Sequence, residues 1–411
     1  MKNVMLRLCA VAMGAVFMVP ASAGEIDDVF YIDMENHNLT QPSSVSSPQQ
    51  LQGNPAAPYL NSLMAPGNPN AAQTSWASNY YNVAPGVHPS LPNYLWQEAG
   101  TNFGVANDNQ PFGPGGADQG NALSLSGLLQ AKGISWKSYQ EDANINTQTG
   151  NPLPTSQWTV PLNNSSGTFT SGTNPYNGSN QYNFATKHDG QLYFYATNGG
   201  NDTTTSNPLA SHYAPLQQLQ TDLANNTVAR YNLITPDQFN DMHSALSNGF
   251  TYHGIHYTGD QAAVAQGDNF LSIIVPMIMN SAAYKNGGAI VIWYDETEGG
   301  DTKQFTLPEI VISRLAKGDA YDSTLTYTHS SDLKTMEELF GVYNPDGSFL
   351  GDAGTLGTND LSDLFVAGSV VPEPSSLVLY AIGAACLAGW HWGRRKRAHH
   401  FRSTHPGCAH R

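Results

Sequence analysis

Apolar residues in this chain gather in short unbroken runs set between long polar stretches. Residues 29–34 (Val-Phe-Tyr-Ile-Asp-Met), 289–294 (Ala-Ile-Val-Ile-Trp-Tyr) and 309–313 (Glu-Ile-Val-Ile-Ser) have strand length and near-continuous apolar character. Such runs read as strands buried on both faces. Residues 134–139 alternate like a strand, and residues 228–234 add another. Helical spacing marks residues 91–98, 123–132 (stopped by Gly133), 211–225, 270–283 and 333–340 (stopped by Gly341), with Pro276 either kinking the fourth or opening it. Strands alternating with helices predict an α/β fold, a mostly parallel central sheet covered by helices on both faces. No internal repeat interrupts it. The stretches 39–75, 99–120 and 144–181 are rich in Asn, Ser, Gly, Gln and Pro. The last cannot build a core of its own and reads as a lid or binding insert.

The two ends are not part of that fold. Residues 1–23 carry Lys2 and Arg7, an apolar run and Ala21-Ser22-Ala23, the composition of a secretory signal. At the other end Pro372-Glu373-Pro374 precedes an apolar run at 377–392 and the cluster Arg394-Arg395-Lys396-Arg397. The run is marginal for a full span, and the basic cluster stands where a stop is expected. This three-part order resembles the PEP-CTERM sorting signal. The resemblance implies recognition by an exosortase, anchoring of the C-terminal helix in the membrane and delivery to a Gram-negative periplasm, cell surface or extracellular matrix. The basic tail at 398–411 departs from the usual pattern. The expected organisation is therefore signal 1–23, one domain 24–370, sorting signal 371–397 and tail 398–411.

Cysteine and charge narrow the chemistry. Cys9, Cys386 and Cys408 all lie outside the domain, which excludes disulfides and cysteine-based metal sites from it. Residues 24–370 hold 31 acidic against 9 basic side chains, a net charge of −22. Nucleic acid is excluded as a general partner, and an anionic substrate is repelled at long range unless a metal inverts the local field.

In such folds sites form at the carboxyl ends of strands. Glu35-Asn36 follows the first strand, and Asp237, Asn240, Asp241 and His243 follow the strand ending near 234. Asp295-Glu296 follows the strand ending at 294, with Glu298 and Asp301 beyond, and His329 precedes the final helix. Each alone reads as a cap or a turn. Together they suit a divalent cation facing a phosphate ester. Between them lies Gly86-Val87-His88-Pro89-Ser90-Leu91-Pro92-Asn93-Tyr94. Its prolines stiffen the turn at Ser90, a perch for a nucleophile or an ordinary helix cap.

Met34-Glu35-Asn36, His88 through Tyr94, Asn240-Asp241-Met242-His243, Asp295-Glu296 and His329 appear in the order seen in one family. The chain resembles the phosphoesterase family of bacterial phospholipases C and acid phosphatases, within the alkaline-phosphatase-like superfamily. The resemblance implies that Ser90 is the nucleophile and that Asn93 donates to a phosphate oxygen. It implies Glu35, Asn36, Asp295 and Glu296 around one cation beside Ser90, and Asp241, His243 and His329 around a second. Lys187-His188 resembles a family segment near the substrate, and reads equally well as a turn after the polar insert. The first ligand set is nearly all oxygen and suits Ca²⁺, Mg²⁺ or Mn²⁺, whereas the second can take Zn²⁺, so that one or two divalent ions are expected. The expected protein is an exported metal-dependent hydrolase of phosphoric esters, an acid phosphatase or phospholipase C acting through a phospho-serine. The rival expectations are a surface-displayed structural or polysaccharide-binding protein and a non-catalytic, phosphate-binding member of the family.

Overall fold

A computed structural model describes residues 25–83 and 87–370. The stretches expected to be an export signal (1–23), a sorting signal (371–397) and a tail (398–411) lie outside the described residues. In chain order the strands are β1 (Val29–Met34), β2 (Thr74–Ala77), β3 (Trp136–Gln140), β4 (Ser165–Thr168), β5 (Gln181–Phe184) and β6 (Tyr213–Pro215). They continue as β7 (Tyr231–Thr235), β8 (Phe250–Tyr252), β9 (Ile255–Tyr257), β10 (Ala289–Tyr294), β11 (Glu309–Ser313) and β12 (Tyr321–Ser323). The helices are α1 (Pro58–Leu63), α2 (Ser90–Ala99), α3 (Leu125–Lys132), α4 (Tyr195–Asn198), α5 (Gln218–Asn225), α6 (Asp260–Met279), α7 (Ala282–Lys285) and α8 (His329–Phe340).

Eight strands form one sheet in the order β12-β2-β11-β10-β1-β7-β3-β6, with β4-β5 and β8-β9 as separate hairpins. β10, β1, β7, β3 and β6 pair in parallel, as the alternating pattern predicts. β11 runs antiparallel to both β10 and β2. The reason is its connection: residues 295–308 contain no crossover helix, and without one the chain can only turn back.

Side-chain alternation along β1 and β10 assigns the helices to the two faces. Tyr31 donates to Asp332 of α8 (3.0 Å), Asp33 accepts from Gln97 of α2 (3.0 Å), and Trp293 meets Tyr94 of α2 edge-on. On the opposite face, Met34 packs against Gly267 of α6. β1 is therefore buried on both sides, and its solid apolar run is explained.

Three elements differ from expectation. Residues 213–215 of the predicted helix 211–225 instead extend the sheet as β6, so α5 begins only at Gln218. α6 starts ten residues earlier than its apolar stretch, and Pro276 falls in its last turn, where its missing N–H removes one helical bond near the end. Among the described residues α6 is the one helix long and apolar enough to cross a membrane, and most of it is buried in the core. α8 gains a turn through a capping box between Thr328 and Ser331, which makes His329 its first residue.

Gly267 lets α6 approach the sheet. A Cβ there would stand 2.3 Å from Met242 Cγ and 3.0 Å from Met34 Cε, both fully buried. Gly267→Ala should destabilise the fold by about 1–3 kcal/mol, the usual scale of overpacking, and denaturant unfolding at constant m-value would measure it. Unchanged stability would show that the contact is loose.

Candidate active site

The carboxyl end of β1 anchors three loops. The register Met34↔Tyr294 sets Glu35-Asn36 beside Asp295-Glu296. Backbone bonds lock this arrangement, with Glu35 N donating to Asp241 O (2.8 Å) and Asp295 N to Met34 O (3.2 Å). Asn36 has φ 41°, which an asparagine tolerates, and its N–H thereby reaches Asp295 Oδ1 at 3.2 Å. Met242, between Asp241 and His243, has φ 84°, a strained value for an unbranched side chain held in place by burial and by the Tyr294 hydroxyl at 3.3 Å.

Helix α2 brings the serine to this corner. Ser90 is its first residue, and Pro92 sits within the first turn, where a missing N–H costs no helical bond. Positions 90, 94 and 97 lie on one face at i, i+4, i+7. Ser90 Oγ donates to Glu35 Oε2 (3.0 Å), Tyr94 Oη to Glu35 Oε1 (2.8 Å) and Gln97 Nε2 to Asp33 Oδ1 (3.0 Å). Ser90 Oγ is also 3.4 Å from Glu296 Oε1 and 3.3 Å from Lys187 Nζ.

Imidazoles answer the crowded carboxylates. His188, 1 % exposed, lies 3.0 Å from Glu35 Oε1 and 3.0 Å from Asp241 Oδ2. These are ion contacts, since His188 Nε2 and Asp241 Oδ2 have no aligned hydrogen-bond partner. Burial opposes the charge on His188, but Glu35 and Asp241 outweigh it and lift its pKa to about 9. Burial likewise pushes Glu35 upward, and His188, Lys187 and His243 overcome it to hold the carboxyl below its ordinary range. Half-exposed His88 bonds Glu296 through Nδ1 and Asp301 through Nε2 (3.1 Å), and Glu296 raises its pKa to about 9. Asp295 has no such partner. Burial, then Glu35 and Glu296, push its pKa well up, and its Oδ2 is buried without a hydrogen bond.

Ser90, Glu35, Asn36, Glu296, Lys187, His188, Asp241 and His243 thus form a connected cluster, with Asp295 bound to it through Asn36. Three expected site residues make other contacts in this structure. His329 does not join Asp241 and His243. Its Nε2 faces the carbonyl of Asp295, which can only accept, and its Nδ1 is 2.8 Å from the Tyr80 hydroxyl. Burial lowers its pKa to about 4, so it is a neutral prop beneath the Asp295 loop. Asn93 Nδ2 donates to Val87 O (3.2 Å) and Pro89 O (3.4 Å) and so braces the Ser90 turn. His188 is sealed between carboxylates, which leaves Lys187 as the member of that pair beside Ser90 Oγ. Among the described residues, no three His, Cys, Asp or Glu side chains converge as the ligands of one ion, because Glu296 and Asp241 are drawn onto imidazoles.

Sequence reasoning missed Tyr94, His88 and Asp108. Tyr94 was legible from its helical spacing to Ser90. His88 opens the motif, but the sequence gave no sign of its carboxylate partners. Asp108, in the loop 99–120, bonds Leu91 N (3.1 Å) and Lys187 Nζ (3.2 Å), and no pattern in the chain announced it.

A model of the Phosphoesterase family matches residues 71–343. The chain belongs to this family. The matched stretch contains Ser90, Lys187, Asp241 and Asp295, whereas Glu35 and Asn36 precede it. Among curated relatives, the phosphate-repressible acid phosphatase of Penicillium chrysogenum is 26% identical over 272 residues, covering 64% of this chain and 52% of the relative. The phosphatidylinositol-3-phosphatase of Mycobacterium tuberculosis is 26% identical over 291 residues, 71% of this chain and 72% of the relative. The chain spans about half the length of the fungal acid phosphatases it matches. Among solved structures, an alkaline phosphatase superfamily protein from Vibrio parahaemolyticus aligns at 13% identity and TM-score 0.40, over 78% of this chain and 67% of that one.

The imidazolium of His188 should matter more to this phosphoesterase fold than a surface pair would. His188→Ala leaves Glu35 and Asp241 buried without it, and breaking such a pair costs about 3–5 kcal/mol. Denaturant unfolding of the metal-free protein checks this. A loss under about 1 kcal/mol, the surface-pair scale, would show that the carboxylates do not depend on the ring.

Proposed function

We propose that this protein is an exported, metal-dependent phosphoric-ester hydrolase in which Ser90 is the nucleophile. One observation carries the reading: Ser90 Oγ opens a buried helix and stands within 3.0–3.4 Å of two carboxylates and an ammonium. A structural or glycan-binding protein has no use for that convergence.

The residues fit a hard cation. Asn36 Oδ1 and Asp295 Oδ2 are buried oxygens without hydrogen-bond partners, and Glu35, Ser90 Oγ and a Glu296 turned away from His88 would complete an oxygen-only donor set around an ion. When bound, the ion supplies charge to neutralise phosphate oxygens and to acidify a hydroxyl. Of the two cation sites expected from the sequence, we favour the first alone, because His188 already places a positive charge between Glu35 and Asp241.

The chain's own groups then divide the work. Glu35 Oε2 accepts the hydrogen bond of the Ser90 hydroxyl and is placed to receive its proton. Ser90 Oγ attacks phosphorus in line, the bond to the ester oxygen breaks, that oxygen takes a proton from water and leaves as the alcohol, and phospho-Ser90 forms. Water hydrolyses this ester in the second step and releases phosphate. Lys187 and the N-terminus of α2 stabilise charge on the non-bridging oxygens. Soluble monoesters are the favoured substrates, and the names of the curated relatives leave a lipid-borne phosphate as the second choice.

Ser90→Ala should abolish hydrolysis of a chromogenic phosphate ester, a loss of at least about 10³-fold, while the unfolding transition stays in place. Full activity in that variant would reject the nucleophile. Removing metal with a chelator should stop turnover, and Ca²⁺, Mg²⁺ or Mn²⁺ should restore it. A wild-type protein inactive across a panel of ions and esters would sink the enzyme reading.

We also propose export through residues 1–23 and sorting through residues 371–397 by an exosortase-type machinery, with the C-terminal helix as a transient or permanent membrane anchor. Fractionation and intact mass should find the protein outside the cytoplasm and beginning at Gly24. A cytoplasmic protein retaining Met1 would overturn this.

A further inference from the structure

A carboxylate stands where the proposed chemistry needs an anion. Asp108 Oδ1 accepts from the backbone N–H of Leu91 at 3.1 Å, and Asp108 Oδ2 lies 3.2 Å from Lys187 Nζ. Both donors border the nucleophile. Leu91 follows Ser90 in the first turn of α2, where backbone N–H groups have no helical partner and the helix dipole favours negative charge. Lys187 Nζ is 3.3 Å from Ser90 Oγ. A phosphoryl group within reach of Ser90 would present its oxygens to these same donors, and one carboxylate holds both.

The attachment of Asp108 suits displacement. Its side chain is 32% exposed, against 12% for Lys187, and Leu91 is fully buried. Its carboxylate makes no hydrogen bond other than those to Leu91 and Lys187 among the described residues. The backbone immediately after it is anchored independently, since Tyr193 Oη donates to Asn109 O (3.0 Å) and Ala117 N to Gln110 O (3.0 Å). Rotation of one side chain would free both donors without moving the loop.

We propose that Asp108 is an internal competitor for the substrate phosphate, capping Leu91 N–H and Lys187 until a phosphoryl group displaces it. The proposal rests on the reading of Ser90 as a phosphoryl-transfer nucleophile. It sets a threshold for entry: a ligand must offer a fuller negative charge than a carboxylate, which selects phosphoryl groups over carboxylic acids. The contrary role, a permanent brace orienting Lys187, predicts effects of opposite sign.

The test uses the full chain with Asp108→Asn and Asp108→Ala, titrated with inorganic phosphate and with vanadate by calorimetry, alongside KM and kcat for a chromogenic ester. Competition predicts phosphate binding about tenfold tighter in both variants, the scale of one charge-assisted hydrogen bond, with KM lowered similarly and kcat retained. Acetate should inhibit the variants more than the wild type. Weaker or unchanged phosphate binding, or a tenfold fall in kcat at constant melting temperature, would overturn the proposal and assign Asp108 to bracing Lys187. Absence of phosphate binding in every form would overturn it too. Tighter phosphate binding in a protein that hydrolyses no ester would uphold the competitor and discard the enzyme.

Discussion

The site depends on a single electrostatic constraint, the confinement of His188 between Glu35 and Asp241. Register and burial force several carboxylates toward the end of β1, and buried like charges do not coexist without compensation. His188 supplies a cation at the deepest point, 3.0 Å from each of two acids. His88 does the same for Glu296 nearer the surface. Lys187 serves the third position, beside Ser90. The cationic groups and Ser90 are thus one arrangement, because the groups that allow the acids to be buried also draw positive potential around the hydroxyl.

That arrangement is held by parts of the fold with no chemistry of their own. Tyr80, just past β2, and Asp332 of α8 fix His329, and His329 props the Asp295 carbonyl. Trp293 of β10 donates to the same Tyr80 hydroxyl at 3.1 Å. On the opposite face, α6 pins the strained Met242 through the close approach at Gly267. A non-glycine residue at φ 84° costs about 1–3 kcal/mol and persists only where packing leaves no alternative. The two helical layers therefore have separate duties: one positions Asp295 and Ser90, the other keeps Asp241 and His243 turned toward Glu35.

Much of this was legible in the chain, for identifiable reasons. β1, β10 and β11 announce themselves because strands buried on both faces need unbroken apolar runs, and parallel topology then predicts chemistry where each run stops. Glu35, Asp295 and Asp241 follow from that rule. β2 (Thr-Ser-Trp-Ala), between β12 and β11, and the edge strand β12 (Tyr-Asp-Ser) do not, since strands of three or four residues with mixed composition are too short for a period to show. The side-chain partnerships were equally hidden. Whether His329 faces an ion or a carbonyl is decided by Tyr80, 249 residues away. Asn93 belongs to the right turn, but its direction depends on the carbonyls of Val87 and Pro89. Residue type and position locate a site; the competition among neighbouring donors and acceptors assigns the roles.

Charge poses the remaining problem, since a domain carrying −22 is to admit an anion. Long-range attraction cannot help, and over distances beyond a Debye length the solvent screens the repulsion anyway. What decides binding is the last few ångströms, where Lys187 and the first turn of α2 face a group at Ser90 with their charge undiluted by water. A bare pocket of this kind would collect any small anion. With Asp108 across both donors, the local potential is cancelled until a ligand of higher charge density arrives. The strength of the site and its restraint then come from the same two hydrogen bonds. This gives the acidic surface a rationale: steering is weak, so discrimination is made at contact.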